Sequence, residues 1–431
     1  MKIEITHGSL LTPQGDWKLF DRIQINDGII SSIFHEGETP DTRFTADVQL
    51  DAKGCYVLPG LIDLNVSLRE PGYSVKGSIA SETAAAAAGG VTTLCCTPES
   101  DPINDSEAVT KLINDLSHKS SKCQVLPLGA LTHGLKGEQL SEYASLKQAG
   151  CIALSNAYHP IKNLAITKRC FEYAKTHNLS VFINPIEASL HEGVMHDNHV
   201  STTIGLQGIS SLAETIAVSQ LIQLADISGA HLHLSQLSAA DSVLQVKTAK
   251  ERGIKVTADV AIHHLLYTDE QVENFNSVFH CMPPIRSESD RLALLEGLRS
   301  GIIDTITSAH QPHEAAAKQM PFAETEPGMS SIELLLPMAI ELNDHHKLPF
   351  DRFIAAMTTQ SANILNVKKP EITEGNAANL CIFDPSKVWS LKAEDLLSKG
   401  KNSPLIGQQL KGKVKITIYE GTIAFSENDT K

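Results

Sequence analysis

Between residues 58 and 368 the chain repeats one pattern: an apolar run, a polar turn, then an amphipathic stretch. The apolar runs are GLIDLNVSL, GVTTLCCTP, CQVLPLGAL, GCIALSN, LSVFINPI, GAHLHLSQL, IKVTADVA and GIIDTITSA. Helical segments such as SIASETAAAAAGG, EAVTKLINDLSHK, NLAITKRCFEYAKTH and SLAETIAVSQLIQLAD follow most of them. Eight strand and helix units at this spacing predict an α/β chain folded as a TIM-type (β/α)8 barrel. The competing doubly wound sheet wants a glycine-rich phosphate turn after an early strand, and PGLIDLNVSLREPG is no GxGxxG. In a barrel, reactive side chains stand at the C-terminal ends of the strands, so those ends are the positions that matter.

The two chain ends follow a different grammar. KIEITHG, DRIQIND and GIISSIFH alternate in short segments broken by Gly, Asp and Pro, and NLCIFDP, KVKITIYEG and TIAFS return to the same alternation. Two such ends pair most simply into one small composite β-sandwich domain beside the barrel. The expected boundaries are 1–57 for its N-terminal part, 58–368 for the barrel and 369–431 for its C-terminal part.

Charge narrows the classes of partner. The 36 basic residues against 50 acidic ones give a formal charge of -14, which repels phosphate backbones and anionic lipid. No nucleic acid and no membrane partner is expected. MKIEITHGSLLTPQG lacks the apolar stretch of a signal peptide, and no run approaches the roughly 18 apolar residues of a membrane span. A cytoplasmic protein is expected. The 8 cysteines form no CxxC pair, and several sit in apolar runs such as VTTLCCTP, which reads as buried reduced thiols.

Ten collinear segments carry a more specific signal: PGLIDLNVSLREPG, ASETAAAAAGGVTTL, GLQGISSLAETIAV, KVTADVAIHHLLYTD, MPPIRSESDR, AHQPHEAAAK, SSIELLLPMAI, TTQSANILNV, GNAANLCIFDP and KNSPLIGQQLKGKVKITIYEGTI. Along nearly its whole length the chain resembles the cyclic amidohydrolases of the amidohydrolase superfamily, and among them the dihydroorotases of pyrimidine synthesis. The resemblance implies one or two zinc ions. Their ligands in the family are a His-x-His pair on strand 1, a bridging carboxylate or modified lysine on strand 4, and histidines on strands 5 and 6. A catalytic aspartate stands on strand 8.

Carried over residue by residue, none of these ligands survives. The His-x-His pair falls on Asn65 and Ser67, the bridging position on Asn156, the strand 5 and 6 histidines on Asn184 and Gln236, and the strand 8 aspartate on Ala309. Zinc is held by thiolate, imidazole or carboxylate, and neutral amides are weak substitutes. Without the metal no bound water has its pKa brought near 7, and without the carboxylate no group shuttles its proton. The zinc site is therefore expected to be lost. Asn and Gln match His and Asp in size and carry both donors and acceptors, so the mouth is expected to stay folded by mutual hydrogen bonds.

A vestige of the substrate pocket is expected at Arg69, Glu99, Met282 and His313. Arg69 stands where the family grips a substrate carboxylate, and His313 where a histidine follows strand 8. Glu99 and Met282 replace two family asparagines. A carboxylate at Glu99 is expected to approach Arg69 and neutralise it. His233, His263, His264 and His310 stand near strand ends and are expected to be structural. HEGVMHDNH, with His191 and His196 five apart, is no HExxH motif and reads as a polar loop. The pair Gly89–Gly90 needs only a helix C-cap.

The chain resembles most the inactive dihydroorotase homologues of some bacteria, which accompany the aspartate transcarbamoylase catalytic chain. The resemblance implies a pseudoenzyme acting as a structural subunit, a homo-oligomer within a hetero-oligomer. Two other classes stay open in the sequence: an active cyclic amidohydrolase of dihydroorotase or hydantoinase type with an unusual metal site, and a pyrimidine-binding sensor.

Overall fold

In the computed structural model, which describes residues 1–12, 15–35, 37–38 and 44–430, eight parallel strands form the barrel. They are strand 1 (Leu61–Val66), strand 2 (Val91–Cys96), strand 3 (Gln124–Ala130), strand 4 (Ala153–Ser155), strand 5 (Ser180–Ile183), strand 6 (Leu232–Leu234), strand 7 (Val256–Ala261) and strand 8 (Thr305–Thr307). Each pairs with its sequence neighbours in order. The ring closes where Val66 bridges His310 and the Ser67 N–H donates to the His310 carbonyl at 2.9 Å. All eight segments named from the sequence are strands.

The eight outer helices are Ile79–Ala88, Glu107–Ser120, Tyr143–Ala149, Leu164–Thr176, Leu212–Ser228, Ala240–Glu251, Glu288–Arg299 and Leu335–His346. Local chemistry sets their ends. Ser78 and Ser81 form a capping box ahead of Ile79, Asn163 caps the Ala165 N–H, and left-handed Gly150 and Gly229 close two C-termini. In Leu164–Thr176 the inner face is Thr167, Cys170, Phe171 and Ala174, and fully buried Phe171 contributes roughly 2–3 kcal/mol.

The Gly89–Gly90 pair has a second reason besides the cap. A Cβ on Gly89 would lie 2.0 Å from the Ile332 carbonyl oxygen, so any larger residue would push the first helix off the segment that follows strand 8.

Both chain ends build one nine-stranded sheet among the described residues, mostly antiparallel and sandwich-like. Leu380–Ser390 runs antiparallel to Tyr56–Pro59, with Leu380 opposite Pro59 and Ile382 opposite Val57. That ladder joins the N-terminal strands to Gln409–Tyr419 and Thr422–Ser426. The alternation legible in the sequence becomes the core: Ile3, Ile5, Ile23, Ile25, Val57, Leu380, Ile382 and Ile418 form one buried cluster, separate from the barrel's. Tyr56–Pro59 carries the sheet past the expected boundary at residue 57, so the barrel begins at Leu61.

Two buried polar networks fix the closing seam. His310 donates from Nε2 to Glu82 at 2.8 Å, because its Nδ1 accepts the Ser331 N–H at 3.2 Å. Glu82 also accepts from the Ser398 hydroxyl at 2.6 Å, which ties the C-terminal segment to the barrel. Burial alone would raise the Glu82 carboxyl, but the bonds from His310 and Ser398 outweigh it and hold it below its ordinary value. Across the same seam, Asp63 accepts the Ser308 N–H at 3.2 Å and the Asn65 N–H at 3.2 Å.

Candidate barrel-mouth site

The residues that the family resemblance singles out are gathered at the C-terminal ends of the strands. Asn65 lies on strand 1 and Ser67 just past it, Asn156 directly follows strand 4, Asn184 follows strand 5, Gln236 lies two residues past strand 6 and Ala309 two past strand 8. All six are buried. The backbone there is unusual: Arg69, Ala157, Gln236 and Ala309 have φ of 64°, 48°, 59° and 48°. Non-glycine residues in the left-handed region cost roughly 1–2 kcal/mol each. Such strain aims side chains at a centre, and it is present at Ala309, whose side chain is only a methyl.

The amides are spent on one another and on the loops. Asn156 Oδ1 accepts from the Thr132 hydroxyl at 2.8 Å, while Nδ2 donates to the carbonyls of His159 at 2.7 Å and Leu135 at 3.2 Å. It knits the loops after strands 3 and 4. Gln236 Oε1 accepts from the Tyr158 hydroxyl at 2.7 Å and from Asn184 Nδ2 at 3.4 Å. Ser67 Oγ lies 3.4 Å from the Thr97 hydroxyl. Two buried atoms keep no protein partner, Asn65 Oδ1 and Gln236 Nε2, one an acceptor and the other a donor.

Tyr158, absent from the sequence-derived site, is the residue that bridges the mouth. Burial, with Glu99 adding to it, pushes its phenol far above the ordinary range, so it stays a neutral donor. Its one sequence signal was its place two residues after Asn156. Beneath the mouth, His233 donates from Nε2 to Asp259 at 2.8 Å and accepts from the Thr257 hydroxyl at 2.9 Å. Asp259 also accepts the Gln236 N–H at 2.8 Å. This pair is fully satisfied, so it reads as scaffolding below the strand ends.

The donor set does not fit a zinc ion. Among the described residues, no three His, Cys, Asp or Glu side chains come together in a way that could hold a metal. The six positions carry amides, a hydroxyl and a methyl, with no imidazole, thiolate or carboxylate among them, so a divalent charge would stand uncompensated in a buried site. The other histidines do not rebuild it. His263 and His264 lie with ring centroids 4.6 Å apart at a tilt of 39°, and burial lowers both, His264 to about 4. His310 is taken by Glu82. His191 Nδ1 binds the Ala188 carbonyl at 2.8 Å, while His196 is buried beside Arg286 at 3.2 Å, so HEGVMHDNH is only partly the polar loop expected.

Of the four residues expected to line a substrate pocket, Arg69 and His313 are in contact. Arg69 Nε donates to the Pro312 carbonyl at 3.2 Å, and its Nη2 lies 3.1 Å from His313 Nε2. Lys76 Nζ lies 3.4 Å from His313 Nδ1, and the Pro327 carbonyl lies 2.9 Å from His313 Nε2. Burial first, then Arg69 and Lys76, push His313 down to about 2 and keep it neutral. The expected approach of Glu99 to Arg69 is not found as a contact. Glu99 pairs instead with His159 at 3.5 Å, where a half-exposed imidazole stands nearer, and acts on Arg69 only as a more distant charge. Met282 sits partly buried in the loop after strand 7.

The dihydro-orotase-like family model matches residues 54–242. A dihydroorotase-like protein of Pseudomonas aeruginosa is 41% identical over 98% of this chain and 99% of its own length. A dihydroorotase of Syntrophus aciditrophicus is 36% identical over 99% and 100%. Among solved structures, the L-hydantoinase (dihydropyrimidinase) of Arthrobacter aurescens superposes with a TM-score of 0.86 at 19% identity, covering 99% of this chain and 96% of that one. The dihydropyrimidinase of Brevibacillus agri gives 0.82 at 20%, covering 99% and 95%. No helix among the described residues is long and apolar enough to cross a membrane. With a relative 41% identical over 98% of this chain and 99% of its own length, the chain belongs to the dihydroorotase-like family of the amidohydrolase superfamily.

Proposed function

We propose that the chain is a non-catalytic dihydroorotase-like protein, without zinc, that serves as a structural subunit for the aspartate transcarbamoylase catalytic chain in de novo pyrimidine biosynthesis. The observation that carries the loss of catalysis is the state of the mouth. Asn156 and Gln236 have their oxygen atoms committed to Thr132 and Tyr158, and no carboxylate stands among the six positions. Hydrolysis or closure of a cyclic amide needs an activated water and a group to take its proton, and neither is supplied here. What remains is a folded surface, which can position and stabilise a neighbour. The choice of partner rests on the resemblance to inactive homologues that accompany the transferase.

Co-expression tests it. The two chains should elute together as one particle far heavier than either, and the transferase expressed alone should lose activity or solubility. Separate peaks in light scattering with unchanged transferase activity would rule the scaffold out. Turnover of dihydroorotate or a hydantoin with added zinc would instead return the chain to the active cyclic amidohydrolases.

One observation favours a second reading, a pyrimidine-binding sensor. Asn65 Oδ1, an acceptor, and Gln236 Nε2, a donor, are buried and unpartnered at the strand ends, and a cyclic imide carries groups of both complementary kinds. A carboxylated pyrimidine that raises the melting temperature would support this reading.

A further inference from the structure

At the foot of the barrel, opposite the mouth, a cavity of about 380 Å³ opens where strands 4 to 7 begin. Ile152, Leu179, His231 and Lys255, each one residue ahead of its strand, line it, and the short helix Ser361–Leu365 forms its floor. That floor is fixed. Ala362, Ile364 and Leu365 pack with Ala153 and Phe182 of the barrel core, and the Ser361 hydroxyl lies 2.7 Å from that of Thr305. Three lysines, Lys147, Lys175 and Lys255, line the cavity and no carboxylate does, against the sign of a chain whose net charge is -14. Lys147 donates to the His177 carbonyl at 2.6 Å, while the ammonium groups of Lys175 and Lys255 have no partner among the described residues. Lys147 and Lys175 lie in the last turns of their helices, where free carbonyl groups favour a cation, but Lys255 stands on no helix. Burial first, then His233 and Lys255, push His231 down to about 4, so the imidazole is neutral and the field of Lys255 reaches the cavity wall. Asp304, the carboxylate acting on His231, is itself held by Lys250 at 2.7 Å and by the Ala258 N–H at 2.8 Å.

We infer that this cavity binds a phosphorylated small molecule carrying two or more negative charges. Charge selects an anion: three ammonium groups around one concavity focus a positive potential that no lining carboxylate offsets. Residue type selects phosphate over carboxylate. A planar carboxylate is gripped best by the flat fork of an arginine, and none lines the cavity, whereas ammonium groups are compact point charges that can surround the oxygens of a phosphate from several sides. Asn178, Asn363 and Asn366 stand at the same cavity with side-chain amides unbonded among the described residues, adding neutral donors. Ile152, Leu179 and Ile364 supply an apolar wall for an organic part of the ligand. The volume falls within the roughly 300–1,000 Å³ of small-ligand sites, and the fixed floor leaves little to reorganise on binding. The inference uses no residue of the mouth and does not depend on the proposed function.

Calorimetric titration of the full chain with inorganic pyrophosphate tests it. Binding with a micromolar Kd is expected, weakening as salt is raised. Lys175→Gln and Lys255→Gln, both at exposed positions, should each weaken it about tenfold with unchanged circular dichroism. Lys392→Gln, at an exposed lysine outside the cavity, should leave it unchanged. Lysine acetylation of the wild type, read by mass spectrometry, gives a readout free of mutation: pyrophosphate should shield Lys175 and Lys255 and leave Lys392 as reactive as before. No heat up to millimolar pyrophosphate, binding that either cavity variant retains at full strength, or equal shielding of all three lysines overturns the inference.

Discussion

The Tyr158 hydroxyl, at the end of strand 4, donates to Gln236 Oε1, past the end of strand 6, across 2.7 Å. An aromatic side chain thus takes the amide oxygen of Gln236, which stands on a backbone with φ of 59°. The mouth is filled by hydrogen bonds among neutral groups, on a backbone strained at several strand ends.

If that bond seals the mouth, Tyr158→Phe should destabilise the fold by about 1–2 kcal/mol, because Gln236 Oε1 would keep only the long contact from Asn184. Urea unfolding should show a lower midpoint with an unchanged slope. A change under about 0.5 kcal/mol would mean that water replaces the phenol at no loss.

Zinc offered to the purified chain and then dialysed away should not remain at one equivalent. Asn65→His with Ser67→His should not change this, since the bridging carboxylate and strand 8 acid are still replaced by Asn156 and Ala309. Elemental analysis decides it; one tightly held zinc in either protein would refute the lost site.

The eight strands and the composite sheet were legible because each depends on residue type at a spacing, whereas the six mouth positions came from the family resemblance. Whether the amides satisfied one another was not legible. Asn156 turned to Thr132 and the His159 carbonyl, and Gln236 to Tyr158, because the loops after strands 3 and 4 fold over the mouth, and loop paths leave no periodic trace. Glu99 was assigned to Arg69 from proximity in the family pattern. His159 intervened because Tyr158 and its neighbours bring that imidazole to the rim.

Ala309 offers a test of inherited strain. With φ of 48°, its methyl pays a left-handed cost of roughly 1–2 kcal/mol. Ala309→Gly removes that cost but adds unfolded-state entropy worth about 0.5–1 kcal/mol. A net gain of about 0.5–1 kcal/mol, seen as a higher Tm, is expected. Destabilisation would show that the buried methyl makes contacts that outweigh the backbone.

Asp63 gives a pH signature at the closing seam. Burial pushes its carboxyl up to about 6 from an ordinary 3.8, against the pull of the Ser308 and Asn65 N–H bonds. A raised carboxyl favours the folded state only while it is protonated. Its contribution is complete below pH 3.8 and is lost as pH rises through 6. Asp63→Asn keeps one acceptor oxygen for Ser308 and cannot ionise. The variant should therefore match the wild type near pH 3.8 and become more stable above pH 6, by at most roughly 3 kcal/mol. Denaturant midpoints of both proteins across that range provide the measurement, and their difference cancels the buried histidines, whose lowered values act in the opposite direction. A variant less stable than the wild type at pH 7 would show that the ionised carboxylate, not the neutral one, holds strand 1 to strand 8.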